Sequence, residues 1–164
     1  MATPHGAGLA ALPLLELSSA MIRPASKSDR TQICWLECAC FGWERLLFGL
    51  WPRIGRRGIS TWIAEVGEKA AGYSITYYRE LDHQMVWYVG GIGVLQPYRH
   101  NGIAQQLMAA VFSDHPTLWL HVRATNRAAL NLYEKLGMHE LRRITRFYSN
   151  GDDAIVMVTH SYIN

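Results

Sequence analysis

Residues 93–104, which read Gly-Val-Leu-Gln-Pro-Tyr-Arg-His-Asn-Gly-Ile-Ala, limit most strongly what this chain can fold into. Residues 86–94 are apolar and aromatic and predict a strand. Pro97 cannot continue the hydrogen bonding of such a strand. From Ile103 onward, apolar residues recur at helical spacing. The stretch therefore predicts a strand that turns through a short loop into a helix.

The start of this predicted helix has the properties of a phosphate site. The first N–H groups of a helix have no partner within it and carry a partial positive charge. Gly102 and Ala104 have little or no side chain, so a ligand can approach the backbone, and Arg99 adds a positive charge. An ordinary strand-to-helix turn with a solvated arginine is the alternative. The pattern is neither a Walker loop nor a dinucleotide fingerprint, because both need further glycines.

The composition is typical of one globular domain. The chain has 164 residues, of which 49% are hydrophobic and 18% charged, and this is enough for a sizeable core. The formal net charge of +3 suits an anionic cofactor but does not indicate nucleic-acid binding. No apolar run approaches the ~20 residues of a membrane span. We therefore expect neither nucleic acid nor a membrane as a partner, and we expect a monomer or a weak dimer.

Three cysteines, Cys34, Cys38 and Cys40, fall together on one predicted helix. Neighbouring helical turns make poor disulfide partners, so we expect reduced thiols and a cytoplasmic protein. No Cys or His pair at ligand spacing occurs elsewhere in the sequence, so we expect no metal site.

Residues 1–20 are rich in Ala, Leu, Pro and Gly and lack the basic start of a signal peptide. We expect a mobile extension, or an upstream start before the natural one at Met21, and then one domain at 21–164. Periodicity and turn residues predict the elements of that domain. The predicted strands are 21–24, 59–66, 70–78, 86–94, 118–122, 138–148 and 154–161. The predicted helices are 29–40, 41–50, 102–113 and 126–136.

A second pair of stretches carries a family resemblance. Leu-His-Val-Arg at 120–123 is followed by Asn126 and by Leu-Tyr-Glu-Lys-Leu-Gly at 132–137. Together with residues 93–104, these stretches resemble the GCN5-related N-acetyltransferases over residues 21–162. The resemblance implies an α/β (α+β) fold with a central, mixed, mostly antiparallel sheet of about seven strands, splayed between strands 4 and 5 and flanked by about four helices.

The resemblance also implies acetyl-CoA as the acetyl donor. The loop and helix start would bind its pyrophosphate, the fourth strand and Asn126 its pantetheine arm, and Tyr133 would lie near the thioester sulfur. For Tyr133, a packing role in the core is the alternative. The cofactor-binding residues implied are Ile92, Val94, Arg99, His100, Asn101, Gly102, Ile103, Ala104, Asn126 and Tyr133.

The catalytic residues can be argued from chemical need. Acetyl transfer requires a neutral amine, because an ammonium has no lone pair, and therefore a base. His121 is a candidate because the ordinary histidine pKa of ~6.5 suits neutral pH, although a satisfied core histidine is the alternative. Tyr88 has the strand parity of Ile92 and Val94. In the family fold, Tyr88 would face His121 across the gap between strands 4 and 5, with a water between them. Tyr133 would protonate or hydrogen-bond the leaving thiolate.

Tyr88 and His121 resemble the pair of a branch of the protein N-terminal acetyltransferases. Bacterial ribosomal-protein alanine acetyltransferases are also similar, but they carry Glu where this chain has His121. Within the Phe147-Tyr148 pair, Tyr148 matches a position that closes over the first substrate residue, as does Phe41. Packing is the alternative for these aromatic residues.

The resemblance implies direct transfer of an acetyl group to the N-terminal α-amine of a protein or peptide, a ribosomal protein among the candidates. Acetylation of a small amine or a lysine side chain is a rival function. A non-catalytic module that binds acyl-CoA is another.

Overall fold

The computed structural model describes residues 20–42 and 54–162, which form seven strands and three α-helices. The strands are β1 Met21–Pro24, β2 Ile59–Val66, β3 Lys69–Leu81, β4 Gln84–Val94, β5 Leu118–Arg123, β6 Met138–Ile144 and β7 Ala154–Thr159. The helices are α1 Arg30–Phe41, α2 Ile103–Asp114 and α3 Arg127–Lys135, with 3-10 turns at Lys27–Asp29, Gln96–Tyr98 and His160–Tyr162. The predicted helix at 41–50 and the predicted mobile extension lie outside the described residues.

All seven strands join one sheet in the order β1-β2-β3-β4-β5-β7-β6. Every neighbouring pair is antiparallel except β4 and β5, which are parallel. These two strands pair only where Trp87 and Tyr88 meet Leu118 and Trp119. Beyond that point they diverge and leave a gap, so the predicted splayed, mostly antiparallel sheet is confirmed.

A β-bulge interrupts β4 close to the gap. Thr76 of β3 lies opposite Val89, and the preceding Ile75 lies opposite Gly91. Gly90 is therefore an extra residue in β4, which is the definition of a bulge. Because an extra residue shifts the alternation of side chains by one, the residues before and after it exchange faces.

The bulge makes one sequence expectation wrong. Tyr88 lies opposite Tyr77, on the sheet face away from Ile92 and Val94, instead of sharing their face. A glycine is required at position 90, because a Cβ there would collide with the ring of Tyr77. The bulge thus directs the tyrosine hydroxyl and the later β4 residues to different sides of the sheet.

Helices cover both faces of the sheet. Neighbouring residues Ile63 and Ala64 of β2 point to opposite faces and belong to different core clusters. On the first face, α1 packs through Ile33 and Leu36. On the second face lie α2 and α3, whose buried residues are Ile103, Leu107, Met108, Val111, Leu130 and Tyr133. Within the described residues, no helix combines the length and apolar character needed to cross a membrane.

Strand β6 ends earlier than predicted, at Ile144 instead of position 148. Arg146 has a positive φ of 49°, and its backbone N–H donates to Oδ1 of Asp153 at 3.0 Å. This turn places Phe147 and Tyr148 in the connection between β6 and β7. Both aromatic residues therefore lie at the edge of the gap between β4 and β5.

Candidate active site

A groove of about 940 Å³ opens where β4 and β5 diverge. Its walls come from the end of α1, from β4, the start of α2, β5, α3 and the connection between β6 and β7. The structure brings together in this groove thirteen of the residues expected from the sequence: Phe41, Tyr88, Ile92, Val94, Arg99, His100, Gly102, Ile103, Ala104, His121, Asn126, Tyr133 and Tyr148.

Asn101 is the expected site residue that does not line the groove. Its side-chain amide donates instead to the backbone oxygens of Tyr98, at 3.3 Å, and Arg99, at 2.9 Å. Arg99 donates its Nε–H to the backbone oxygen of Val94 at 2.9 Å. These bonds tie the loop to itself and to the end of β4, and they hold the guanidinium of Arg99 beside the groove.

The start of α2 offers space and donors for an anion. Gly102 has φ 75°, and an ideal Cβ at this position has no atom within 4 Å. Gln106 makes the first helical hydrogen bond, to the backbone oxygen of Gly102, so the earlier N–H groups of the helix precede the i to i−4 pattern. With Arg99 beside them, these groups fit a phosphate or pyrophosphate.

The middle of the groove suits a flexible polar chain. Ile92 and Val94 lie on the β4 edge that faces the gap, where the paired positions with β5 have ended. Across the gap, Asn126 caps α3, and its side-chain oxygen accepts from the N–H of Ala129 at 3.2 Å. The NH2 group of Asn126 therefore remains as a donor toward a ligand.

Tyr88 and His121 meet at the point where the strands part. The tyrosine oxygen lies 3.2 Å from Nδ1 of His121, close enough for a direct hydrogen bond. The expectation of a water between them is therefore wrong, and a water would have to bind beside the pair. Both side chains also contact Trp119, with ring centroids 4.6 and 5.2 Å away.

Burial, followed by the positive charges of Arg79 and Arg142, lowers the pKa of His121 to about 4. The value of ~6.5 on which the sequence argument relied is therefore too high here. At neutral pH the imidazole is uncharged and has a lone pair, but it is a weak base. Its lone pair can accept a hydrogen bond from a water or an amine while the imidazole itself stays uncharged.

Aromatic rings form one wall of the groove beside this pair. The ring of Phe147 stacks on His121, with centroids 4.4 Å apart and 19° between the planes. Tyr148 meets Phe147 edge to face at 5.1 Å, and the guanidinium of Arg123 lies 3.9 Å from the centre of the Tyr148 ring. Phe41, 43% exposed, lines the groove from α1.

Sequence reasoning missed several residues of this arrangement. The sequence indicates Phe147 only as the neighbour of Tyr148, although its ring is the one that stacks on His121. Trp119 could have been found, because it precedes His121 by two positions on a strand and must share its face. Arg79 could not, because its place beside Tyr88 depends on the register of β3 and β4.

A comparison with known families decides what kind of protein has this groove. The model of the acetyltransferase (GNAT) family matches residues 30–138. The chain belongs to the GNAT acetyltransferase family. Its fold and its family agree with the sequence prediction.

Curated relatives of this GNAT acetyltransferase are N-terminal acetyltransferases. N-alpha-acetyltransferase 30 of Homo sapiens is 33% identical over 114 residues, 64% of this chain and 29% of that protein. An N-alpha-acetyltransferase of Sulfurisphaera tokodaii is 36% identical over 76 residues, 43% of this chain and 46% of that protein. The chain thus spans less than half the length of these two relatives. The catalytic subunit ard1 of the N-terminal acetyltransferase A complex of Schizosaccharomyces pombe is 29% identical over 147 residues, 83% of this chain and 82% of that protein.

Solved structures share the fold. The ribosomal-protein-S18-alanine N-acetyltransferase of Escherichia coli has a TM-score of 0.72 and 26% identity, and the match covers 86% of this chain and 93% of that one. Arabidopsis thaliana NAA60 in complex with acetyl-CoA has a TM-score of 0.72 and 21% identity, and the match covers 85% of this chain and 97% of that one. Acetyl-CoA is the acetyl donor of the GNAT family, and the anion site at Gly102 with Arg99 fits its pyrophosphate.

We expect acetyl-CoA to stabilise the parent protein and not the Gly102→Glu variant. A donor at one hundred times its Kd adds about 2.7 kcal/mol, which raises Tm by about 5–10 °C in a domain of this size. In Gly102→Glu, a carboxylate would occupy the phosphate position. Thermal shift with and without acetyl-CoA measures the effect.

The matched control for this measurement is Gly102→Gln. It has the same size and the same strain at a positive φ, but it carries no charge. It should keep part of the shift that the Glu variant loses. Equal shifts in the two variants would contradict the assignment of the phosphate to this helix start.

Proposed function

We propose that this enzyme transfers the acetyl group of acetyl-CoA to the N-terminal α-amine of a protein or peptide. The observation that carries the proposal is the contact of Tyr88 with His121 at 3.2 Å, at the mouth of the groove and beneath the ring of Phe147. The similarity to curated N-alpha-acetyltransferases supports the same acceptor.

The weak basicity of His121 favours an α-amine over a lysine. The two ordinary pKa values are ~8 and ~10.4, so at neutral pH a lysine is neutral about two hundred times less often. A base whose own pKa is about 4 removes a proton poorly from an acceptor amine that is almost fully protonated. The site therefore suits the amine that loses its proton more readily.

The pair has a defined division of labour in the proposed mechanism. For His121 to accept a proton, its Nδ1–H must donate to the oxygen of Tyr88, which leaves the lone pair of Nε2 for a water or the amine. Tyr88 thereby fixes the tautomer and the orientation of the imidazole. The proton then passes through water to solvent, because a group with this pKa does not retain it at neutral pH.

Other residues of the groove act on binding and on the leaving group. Bound acetyl-CoA supplies the electrophilic carbonyl carbon. The backbone of β4 around Ile92 and Val94 holds the pantetheine arm, and the start of α2 holds the pyrophosphate. Tyr133 donates its proton to the departing sulfur. Phe41 and Tyr148 enclose the first residue of the substrate.

Acceptors of a different kind fit the groove less well. The described part of its lining contains no Asp or Glu, and aromatic residues form one wall. A small polyamine or an exposed lysine would be expected to meet carboxylates in a more open pocket. Retention of Tyr88, His121 and Tyr133 in one groove also argues against a module that only binds acyl-CoA.

The cellular setting stays a prediction. We propose a cytoplasmic protein that acts as a monomer or a weak dimer on protein N-termini, with ribosomal proteins as one substrate class. The similar Escherichia coli enzyme is a ribosomal-protein-S18-alanine N-acetyltransferase. The resemblance argued from the sequence implies that its branch carries Glu where this chain has His121. We therefore expect a different order of preference for the first residue of the substrate.

A peptide panel tests the function. Peptides with free N-termini that vary in their first two residues, and a free polyamine as the rival acceptor, are incubated with acetyl-CoA and the enzyme. Mass spectrometry should show acetylated peptides with a clear preference at the first residue, and slower acetylation of the polyamine. Acetylation of the polyamine alone would contradict the proposal.

The low pKa of His121 predicts the pH dependence. From about pH 6 to about pH 9 the imidazole stays neutral, so kcat/KM should rise about tenfold per pH unit and level off near the pKa of the substrate amine. Histidine should add no inflection of its own in this range. Initial rates with peptides whose α-amines differ in pKa check this: the plateau should move with the peptide. A fixed inflection near pH 6.5 would contradict it.

A further inference from the structure

We propose that Arg79 selects substrates that carry a carboxylate side chain on the second or third residue. The inference rests on the proposed acetylation of protein N-termini. It assigns a specificity-determining role to a residue of β3 that lies outside the lining of the groove.

Arg79 lies directly on the catalytic pair. Its guanidinium carbon is 4.8 Å from the centre of the Tyr88 ring and 5.5 Å from the centre of the Trp119 ring. The side chain is exposed, so a ligand can reach it. Its charge also acts on His121, where it helps to keep the imidazole neutral.

The charge of Arg79 is not balanced within the described part of the chain. Arg142 is the other arginine that acts on His121, but Asp82 accepts two hydrogen bonds from it, at 2.8 and 2.9 Å. The carboxylate of Glu80, the neighbour of Arg79, lies 3.4 Å from Nδ1 of His83 and not on Arg79. No ion pair among residues 20–42 and 54–162 includes Arg79. An unbalanced cation beside the Tyr88 ring attracts anions and repels cations.

The distance fits residues two and three of a substrate. The amine to be acetylated must reach the hydroxyl of Tyr88 or His121, and an extended peptide advances ~3.3 Å per residue. The next two residues therefore lie about 3–7 Å further on, and their side chains can reach the guanidinium of Arg79, which lies 4.8 Å from the centre of the Tyr88 ring. A guanidinium can bind a carboxylate through two parallel hydrogen bonds.

Two sets of peptides test the inference. In the first set the peptides differ only in having Glu, Gln or Lys at residue two, and in the second set the same change is made at residue three. In at least one set, kcat/KM should follow the order Glu, Gln, Lys, with Glu about three- to fivefold above Gln, the size expected of one partly exposed ion pair. The preference should shrink as salt is added. Arg79→Gln should remove it, and Arg79→Glu should reverse it.

The control is Lys69→Gln, which removes one positive charge at the opposite end of β3, about 30 Å away. It should keep the parent's preference. Equal rates for the three peptides in both sets would overturn the inference while the proposed function stands. An Arg79→Gln variant that acetylates all three peptides more slowly by the same factor would also overturn the inference, because Arg79 would then only support the Tyr88 ring. If no peptide is acetylated by the parent, the proposed function fails, and this inference with it.

Discussion

We expect His121→Ala to lose about a hundredfold or more in kcat on peptide substrates, as is typical for the loss of a general base. Tyr88→Phe should lose a similar amount, because the imidazole is then no longer held through Nδ1. Since the two residues act as one unit, the double variant should be scarcely worse than the poorer single variant. His121→Ala also removes the ring under Phe147, so its KM for peptide should rise as well.

Steady-state kinetics of the two single variants and the double variant measure this coupling. His115→Ala is the control: this histidine stacks on Trp87, with centroids 3.6 Å apart, outside the groove lining, and its loss should leave kcat unchanged. His121→Glu should keep partial activity, because the family resemblance implies a carboxylate at this position in the alanine acetyltransferases. Fully multiplicative losses from His121 and Tyr88 would contradict a shared role.

The second large effect is expected at Tyr133. Tyr133→Phe keeps a buried ring in the core cluster of α3 but deletes the hydroxyl. If the hydroxyl protonates the departing sulfur, kcat should fall about a hundredfold or more, with little change in acetyl-CoA affinity. Tyr98→Phe is the matched control, since this buried tyrosine lines the groove at its phosphate end. Unchanged turnover in Tyr133→Phe would leave only the packing role.

Much of the fold could be predicted because local sequence carries it. The loop at 93–104, the cap Asn126 and the hairpin turns each place an element boundary with local chemistry alone. The predicted anion site likewise rests on local features, namely a helix start, Gly102 and Arg99, and its ligand stays a prediction. These predictions needed no knowledge of which strands are neighbours.

Long-range contacts explain what the sequence did not predict. Three glycines lie at 90, 91 and 93, and only the register between β3 and β4 shows that Gly90 forms the bulge. If the bulge at Gly90 is not known, the alternation of β4 assigns Tyr88 to the wrong face of the sheet.

Distant residues likewise set the properties of the base and of the aromatic wall. The low pKa of His121 comes from burial and from arginines of β3 and β6. The end of β6, which brings Phe147 over His121, depends on a bond from the backbone of Arg146 to Asp153. Some of these contacts join residues that are far apart in the chain, and others join a side chain to the backbone. No local sequence pattern predicts either kind.

The most direct test of the central claim uses one peptide that contains both a free α-amine and a single internal lysine. It is incubated with acetyl-CoA and the enzyme, and tandem mass spectrometry locates the acetyl group at early times. An otherwise identical peptide with a blocked N-terminus serves as the control. We expect acetylation of the α-amine, an unmodified lysine and no reaction of the blocked peptide. Acetylation of the lysine at an equal or higher rate, or turnover of the blocked peptide, would contradict it.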